Sequence, residues 1–210
     1  MAYDLEEQEQ IDQLRAWWAK YGTLVTTVLL IALVAIASWR GWQWYQGHQA
    51  GQARGYFEAL EEATRLPGDQ SIARINAAAK TLRTEYGTTD YAGRAALVAA
   101  SALQARDDMA GAKSQLEWLI QTKNPALVPV ARLRLAGLLF DQKDYDAALA
   151  QLNDAPQAFA GLYEDRKGDI LAAQGKVADA RAVWIKAMDT LGAGHPLVPV
   201  IKLKLDALGA

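Results

Sequence analysis

The side chains in this sequence that could do chemistry are few and scattered. There are two histidines and no cysteine, which removes disulfides, thiolate metal sites and a cysteine nucleophile. His48 sits between Gly47 and Gln49, and His195 lies between Gly194 and Pro196 in a turn sequence. Neither has a second histidine or an acidic cluster at ligand spacing, so both read as exposed polar residues. Asp141, Asp144 and Asp146 come nearest to an oxygen-ligand set. They lack the glycine and terminal glutamate of a calcium loop, and they fall at an inter-helix turn where Asp caps a helix. Gly192-Ala193-Gly194 is too short for a phosphate loop, and no G-x-S-x-G occurs. Glu61-Glu62 and Asp107-Asp108 are adjacent pairs that point to different sides of a helix. Arg132-x-Arg134 and Lys202-x-Lys204 are short and flanked by apolar residues. The pattern speaks against an enzyme, and neither cofactor nor metal is expected. A net charge of −2 gives no reason to expect nucleic acid.

The elements behind these residues are helical. The 210 residues include 41 Ala, six Pro and 51% hydrophobic residues, a composition that favours helix and a packed core over disorder. Five of the seven Trp lie between Trp17 and Trp44. Between Lys20 and Arg40 run nineteen uncharged residues, Tyr21 to Trp39. At about 1.5 Å per residue they match a hydrocarbon core of roughly 30 Å. Trp17, Trp18 and Tyr21 mark one interface, and Trp39, Trp42, Trp44 and Tyr45 the other, where amphipathic rings settle. Ala35-Ile36-Ala37 resembles a signal-peptide cleavage site. The preceding head is acidic, however (Asp4, Glu6, Glu7, Glu9 and Asp12 against Arg15 and Lys20), and a signal peptide wants a short basic one. An uncleaved anchor at 21–39, with its belt reaching 45, is the expectation. The basic residues near its ends tie, Arg15 and Lys20 against Arg40 and Arg54. The short head, 1–20, is therefore placed in the cytoplasm on the length of the domain that must cross. Thr23, Thr27, Ala35 and Ser38 give the span a face that could pack on another helix.

Residues 46–66 read as a helical stem ending at Leu66-Pro67-Gly68. Its Gly47, Gly51 and Gly55 either admit a close helix or mark a loose linker. Beyond it the sequence repeats. Leu127-Val128-Pro129-Val130-Ala131-Arg132-Leu133-Arg134-Leu135 recurs 70 residues later as Leu197-Val198-Pro199-Val200-Ile201-Lys202-Leu203-Lys204-Leu205, and Tyr91-Ala92-Gly93 returns as Phe159-Ala160-Gly161. Turns are expected at Asp107-Asp108, Lys143-Asp144 and Gly175-Lys176. The second helices carry a small residue with a large one four places on: Ala112 with Leu116, Ala148 with Leu152, and Ala180 with Trp184. The small residue lets paired helices approach, and the larger one buries on the same face. A degenerate first unit is aligned through Ala78 and Leu82, with the stem supplying its first helix. Pro196 to Leu208 reads as a cap. The best unit, Gly168, Leu171, Gly175, Ala180, Trp184 and Ala187, resembles the tetratricopeptide repeat. The fold class expected is all-α: one transmembrane helix, then a tetratricopeptide-like solenoid over 67–210.

The whole chain also resembles the YfgM family, ancillary subunits of the bacterial Sec translocon. The likeness rests on this architecture and on the head Leu5-Glu6-Glu7-Gln8-Glu9-Gln10-Ile11-Asp12-Gln13-Leu14-Arg15-Ala16-Trp17-Trp18, followed by Tyr21-Gly22. It implies an inner-membrane protein with a periplasmic repeat domain. It further implies association with the SecYEG channel and a membrane-anchored, prolyl-isomerase-like periplasmic chaperone, and help in handling translocating polypeptides. By analogy with repeat geometry, Arg94, Leu97, Ser101, Val130, Leu133, Asp165 and Asp169 are the expected lining of a peptide groove. Plain core packing is the competing account for Leu97, Val130 and Leu133. The competing function is an envelope scaffold that associates with itself.

Overall fold

The computed structural model describes residues 3–209, with side chains for 8–68 and 70–209. Of the acidic head, the side chains of Asp4, Glu6 and Glu7 lie outside the described residues. Nine α-helices are seen there: α1 Tyr3–Arg65, α2 Asp69–Glu85, α3 Asp90–Gln104, α4 Met109–Gln121, α5 Val128–Asp141, α6 Tyr145–Gln151, α7 Ala160–Ala173, α8 Val177–Leu191 and α9 Val198–Ala207. A single 3-10 turn, Gln157–Phe159, precedes α7. There is no strand among the described residues. The chain divides into two compact units at Gly51/Gln52, within the stretch read as a stem.

In the first unit α1 is long and apolar enough to cross a membrane. Leu24, Leu30, Leu33 and Val34 are exposed along it, a surface that water penalises and hydrocarbon does not. Two hydroxyls of the apolar stretch turn back to the backbone. Thr27 donates to the Thr23 carbonyl at 2.7 Å and Thr26 to that of Gly22 at 2.8 Å, so neither hydroxyl costs the bilayer an unpaired group. The belts form ring pairs, Trp17 with Tyr21 at 5.6 Å and Trp42 with Tyr45 at 6.3 Å. Trp18 lies over Gly22, where an added Cβ would sit 3.1 Å from Nε1.

In the second unit successive helices pair. Helix α3 packs with α4, α5 with α6 and α7 with α8, leaving α9 single; the α1 segment 52–65 lies beside α2, the two bordering one hollow through Tyr56, Ala63, Arg74 and Ala78. The three internal turns are built alike. Asp107, Lys143 and Gly175 take positive φ (61°, 61° and 77°). The next residue in each donates to the carbonyl five back: Asp108 to Leu103 at 3.0 Å, Asp144 to Leu139 at 2.9 Å and Lys176 to Leu171 at 2.9 Å. This closes the orphan carbonyls of each first helix. Asp108 and Asp144 then cap the following helix, accepting from Gly111 N at 2.9 Å and Ala147 N at 3.3 Å. Pro129 and Pro199 lie in the first turns of α5 and α9, where a missing N–H breaks no helical bond. Ala112, Ala148 and Ala180 are fully buried, and Leu116, Leu152 and Trp184 are at most 4% exposed.

The first hairpin departs from the expected alignment. Ala78 is only half-buried, while Ser71 and Ile75, also four apart, are both fully buried. Ser71 is the third residue of α2, close to the fourth-residue place that Ala112, Ala148 and Ala180 hold in their helices. A buried serine is tolerable because its hydroxyl is used twice. It donates to the Gly68 carbonyl at 2.7 Å and accepts from Arg106 Nε at 2.8 Å. Arg106 also donates through Nη2 to the Thr64 and Leu66 carbonyls (2.7 and 3.1 Å) and through Nη1 to Ala102 O. One guanidinium thus closes the end of α1 and fastens it to α2 and α3, a use of its fixed fork of donors.

Candidate functional site: the face of the first helices

Side chains at equivalent places on α3, α5 and α7 form one face, because the turns repeat and hold the first helices in a common register. Two hollows open on it. One, of about 450 Å³, lies between α3, α5 and α7, with Ser101, Val130 and Leu133 in its wall. The other, of about 430 Å³, lies between residue Thr64 of α1, α3 and α5, with Leu97 and Ser101 in its wall. Four of the seven expected lining residues therefore border a hollow. Leu97, Val130 and Leu133 are half-buried, and Leu97 and Leu133 also pack against the core. Leu133 thus borders the larger hollow and packs on the core at once. Arg94 is exposed, one turn before Leu97 on α3, and borders neither hollow.

Asp165 and Asp169 face a different task. Lys204 of α9 donates to Asp165 Oδ1 at 2.7 Å and to Asp169 Oδ1 at 2.6 Å, and its ammonium lies 5.7 Å from the Trp184 ring centre. This cluster fastens the cap helix to α7 and α8. Burial pushes the Asp169 carboxyl above the ordinary aspartate range, ahead of the opposing pull of Lys204. Trp184 donates from Nε1 to the Asp165 carbonyl at 3.2 Å. Its indole occupies the space over Gly168, where any Cβ would overlap the ring.

Several residues of the face went unread in the sequence. Arg134, Gly137, Asp141 and Arg166 border the larger hollow. Arg134 donates to the Leu97 carbonyl at 2.9 Å, and Gln104 donates to Asp141 at 3.2 Å. The repeat offset held the signal for Gly137, which follows Ser101 by the 36 residues that separate Ala112 from Ala148. The same holds for Arg134 and Lys204, which share a place in the repeated nine-residue string. Each reaches back to the preceding first helix.

The aspartates of the α5–α6 turn are used separately. Asp141 accepts from Gln104, Asp144 caps α6 and Asp146 accepts from Gln174 at 3.4 Å. Among the described residues, no group of three or more His, Asp or Glu is arranged to hold a metal. His195 accepts from Leu197 N at 3.3 Å within its turn, and His48 stacks on Trp44 at 5.5 Å. Of the expected span face, Thr23 and Thr27 are joined to each other by the backbone bond above, and Ala35 and Ser38 are exposed.

Paired helices with recurrent turns, crowded alanine crossings and an open first-helix face find their counterpart in a known domain. Residues 15–210 match the tetratricopeptide repeat-like domain. The chain belongs to that family. A protein from Neisseria gonorrhoeae named ancillary SecYEG translocon subunit is 29% identical over 210 residues. The match covers 99% of this chain and 100% of the relative. A protein of the same name from Haemophilus influenzae is 29% identical over 192 residues, covering 90% of this chain and 92% of the relative. Together they bear out the likeness to the YfgM family. No solved structure matches the chain.

Proposed function

We propose that this protein is a non-enzymatic, membrane-anchored adaptor that associates with a SecYEG-type translocon and helps handle the polypeptides crossing it. The observation that carries the reading is the near full-length relation to two proteins named as ancillary subunits of that channel. The first-helix face supports it, because it combines half-buried aliphatic side chains with open hollows, as suits an extended or helical peptide. Residues 1–20 lie in the cytoplasm, 21–39 cross the bacterial inner membrane once, and the stem and repeats occupy the periplasm. There the domain meets a membrane-anchored, prolyl-isomerase-like chaperone.

Association with the channel depends chiefly on the span. Residues 46–210 hold 19 acidic and 19 basic residues, so no net charge steers the domain over distance. The anchor confines it to the membrane plane and raises its local concentration. Replacing residues 21–39 by an unrelated span of equal length tests this. Loss of the channel with retained chaperone upon co-purification supports the proposal; unchanged channel recovery refutes it. Protease added to spheroplasts should cut residues 46–210 and leave the N-terminus attached. A mature chain beginning at Ser38 would contradict the assigned topology.

A further inference from the structure

We propose that copies of this protein join end to end. In the joint, α9 of one copy lies on the 52–65 segment of the next, in the place of a preceding first helix. The joint is separate from the peptide face and from the channel.

Inside the chain, each first helix meets the one before it in a common register. Places are counted back from the positive-φ residue that follows each first helix, Gly68, Asp107, Lys143 or Gly175. Helix α9 takes its places from α5 through the string repeated 70 residues on. The residue nine places back reaches the tenth place of the preceding helix: Arg134 donates to the Leu97 carbonyl, and Lys204 to the Asp165 carboxylate. The twelfth place is buried on α3, α5, α7 and α9, where it is Ala95, Ala131, Tyr163 and Ile201. Tyr163 donates its hydroxyl to the Pro129 carbonyl of α5 at 3.0 Å.

On α1 the twelfth place is Tyr56, and it is 41% exposed because no first helix precedes it. Hollows of about 360 and 450 Å³ flank it, and Ala59 borders both. At the other end, α9 exposes Pro199, Val200 and Leu203, whose counterparts Pro129, Val130 and Leu133 are buried or half-buried on α5. Solenoids keep their ends soluble with polar outer faces on the terminal repeats. Both ends here are apolar, and the internal register fits one to the other. Tyr56 of one copy meets Pro199 of its neighbour as Tyr163 meets Pro129. Ala59, in the place of Lys204, meets Leu203 and Ala207, in the places of Asp165 and Asp169. Where the α7–α9 joint pairs a cation with two carboxylates, the end joint sets apolar groups against each other. One chain carries both halves.

The ten residues of α9 span only about 15 Å, too short to bury the roughly 800 Å² per partner of a stable complex. The joint is therefore weak between dispersed molecules and is favoured where anchors confine copies to one bilayer. Because it is head-to-tail, it can extend into rows.

The absence of cysteine makes disulfide mapping clean. Full-length Ala59→Cys and Ala207→Cys copies with different tags are reconstituted together in phosphatidylethanolamine/phosphatidylglycerol vesicles and oxidised. The mixed 59–207 dimer should dominate, and the doubly substituted chain should give a ladder of higher oligomers. Leu203→Glu in the Ala207→Cys copy should lower the mixed product about tenfold or more by placing a carboxylate in the joint. Tyr56→Phe in the other copy should lower it several-fold through the lost hydrogen bond. Both sites are exposed in the single chain, so both variants should melt with their parents. A mixed yield no higher than that with Glu117→Cys, exposed on α4, in place of Ala207→Cys overturns the proposal. So does a predominance of 207–207 dimers, which would mean two-fold pairing of α9, or a mixed product insensitive to Leu203→Glu.

Discussion

Helices α5 and α9 open with nearly the same nine residues and meet opposite surroundings. In α5, Ala131, Leu135, Ala136, Leu138 and Leu139 are buried, because α6 covers one side and first helices flank it. In α9 only Val198 and Ile201 are buried, while Val200 and Leu203 are 45% and 69% exposed. Their basic residues diverge in the same way. Arg134 rests on a backbone carbonyl at the surface, whereas Lys204 sits between two half-buried carboxylates and an indole face. The repeated string sets helix start and register. The neighbours decide which of its side chains stabilise the fold. A helix without a following partner has to be fastened by charge and by one large ring.

The largest expected effect is at that ring. Trp184→Ala should cost about 3–5 kcal/mol by opening a cavity under α9, read by chemical denaturation of the full-length protein in detergent. Gly168→Ala, which drives a methyl into the same indole, should cost about 1–3 kcal/mol. If neither shifts the midpoint, α9 is not seated on Trp184. The contrast between the helices is sharpened by Leu135→Ala, expected to cost about 2–5 kcal/mol, beside Leu203→Ala, expected to stay within about 0.5 kcal/mol. Similar losses for the two would mean that α9 is as deeply covered as α5.

The basic pair comes next. Lys204→Met leaves half-buried Asp165 without its cation and Asp169 with only Arg166 at 3.7 Å, and should cost about 1–3 kcal/mol. Arg134→Met loses one exposed bond and should cost about 1 kcal/mol or less. Reversal of that order would contradict the assigned roles.

The pH dependence follows from Asp169. Burial raises its carboxyl in the folded state, so the folded chain holds that proton more tightly than the unfolded one. The stability it contributes is full below the unfolded value of about 3.9 and is lost as pH rises through the raised folded value. The advantage of the wild type over Asp169→Asn should therefore shrink from about pH 3.5 to neutral. An advantage that grows over that interval would show that Lys204 outweighs burial. A small effect of opposite sign should come from Lys143→Gly, where a positive φ of 61° is relieved. A gain of about 0.5–1 kcal/mol is expected, and a loss would mean that the Lys143 side chain contributes packing.

Much of the architecture was legible because its signals are local. Asp107-Asp108, Lys143-Asp144 and Gly175-Lys176 mark the three turns, and Ala112, Ala148 and Ala180 mark the crossings. The first hairpin was misaligned because Ala77-Ala78-Ala79 offers no contrast between faces, and a polar Ser71 gives no sign of burial until Arg106 is seen to satisfy it. Asp165 and Asp169 looked free because their cation, Lys204, lies 39 and 35 residues further along the chain.

The central claim is that the first-helix face engages a translocating polypeptide or its chaperone. It is tested most directly by placing a photocrosslinking residue at Leu133, with Glu117 on the exposed side of α4 as control, in cells holding an arrested secretory chain in the channel. The account predicts adducts with the arrested chain or a periplasmic chaperone from position 133 and none from 117. Adducts from 133 consisting only of a second copy of this protein, or equal labelling from both positions, would contradict it.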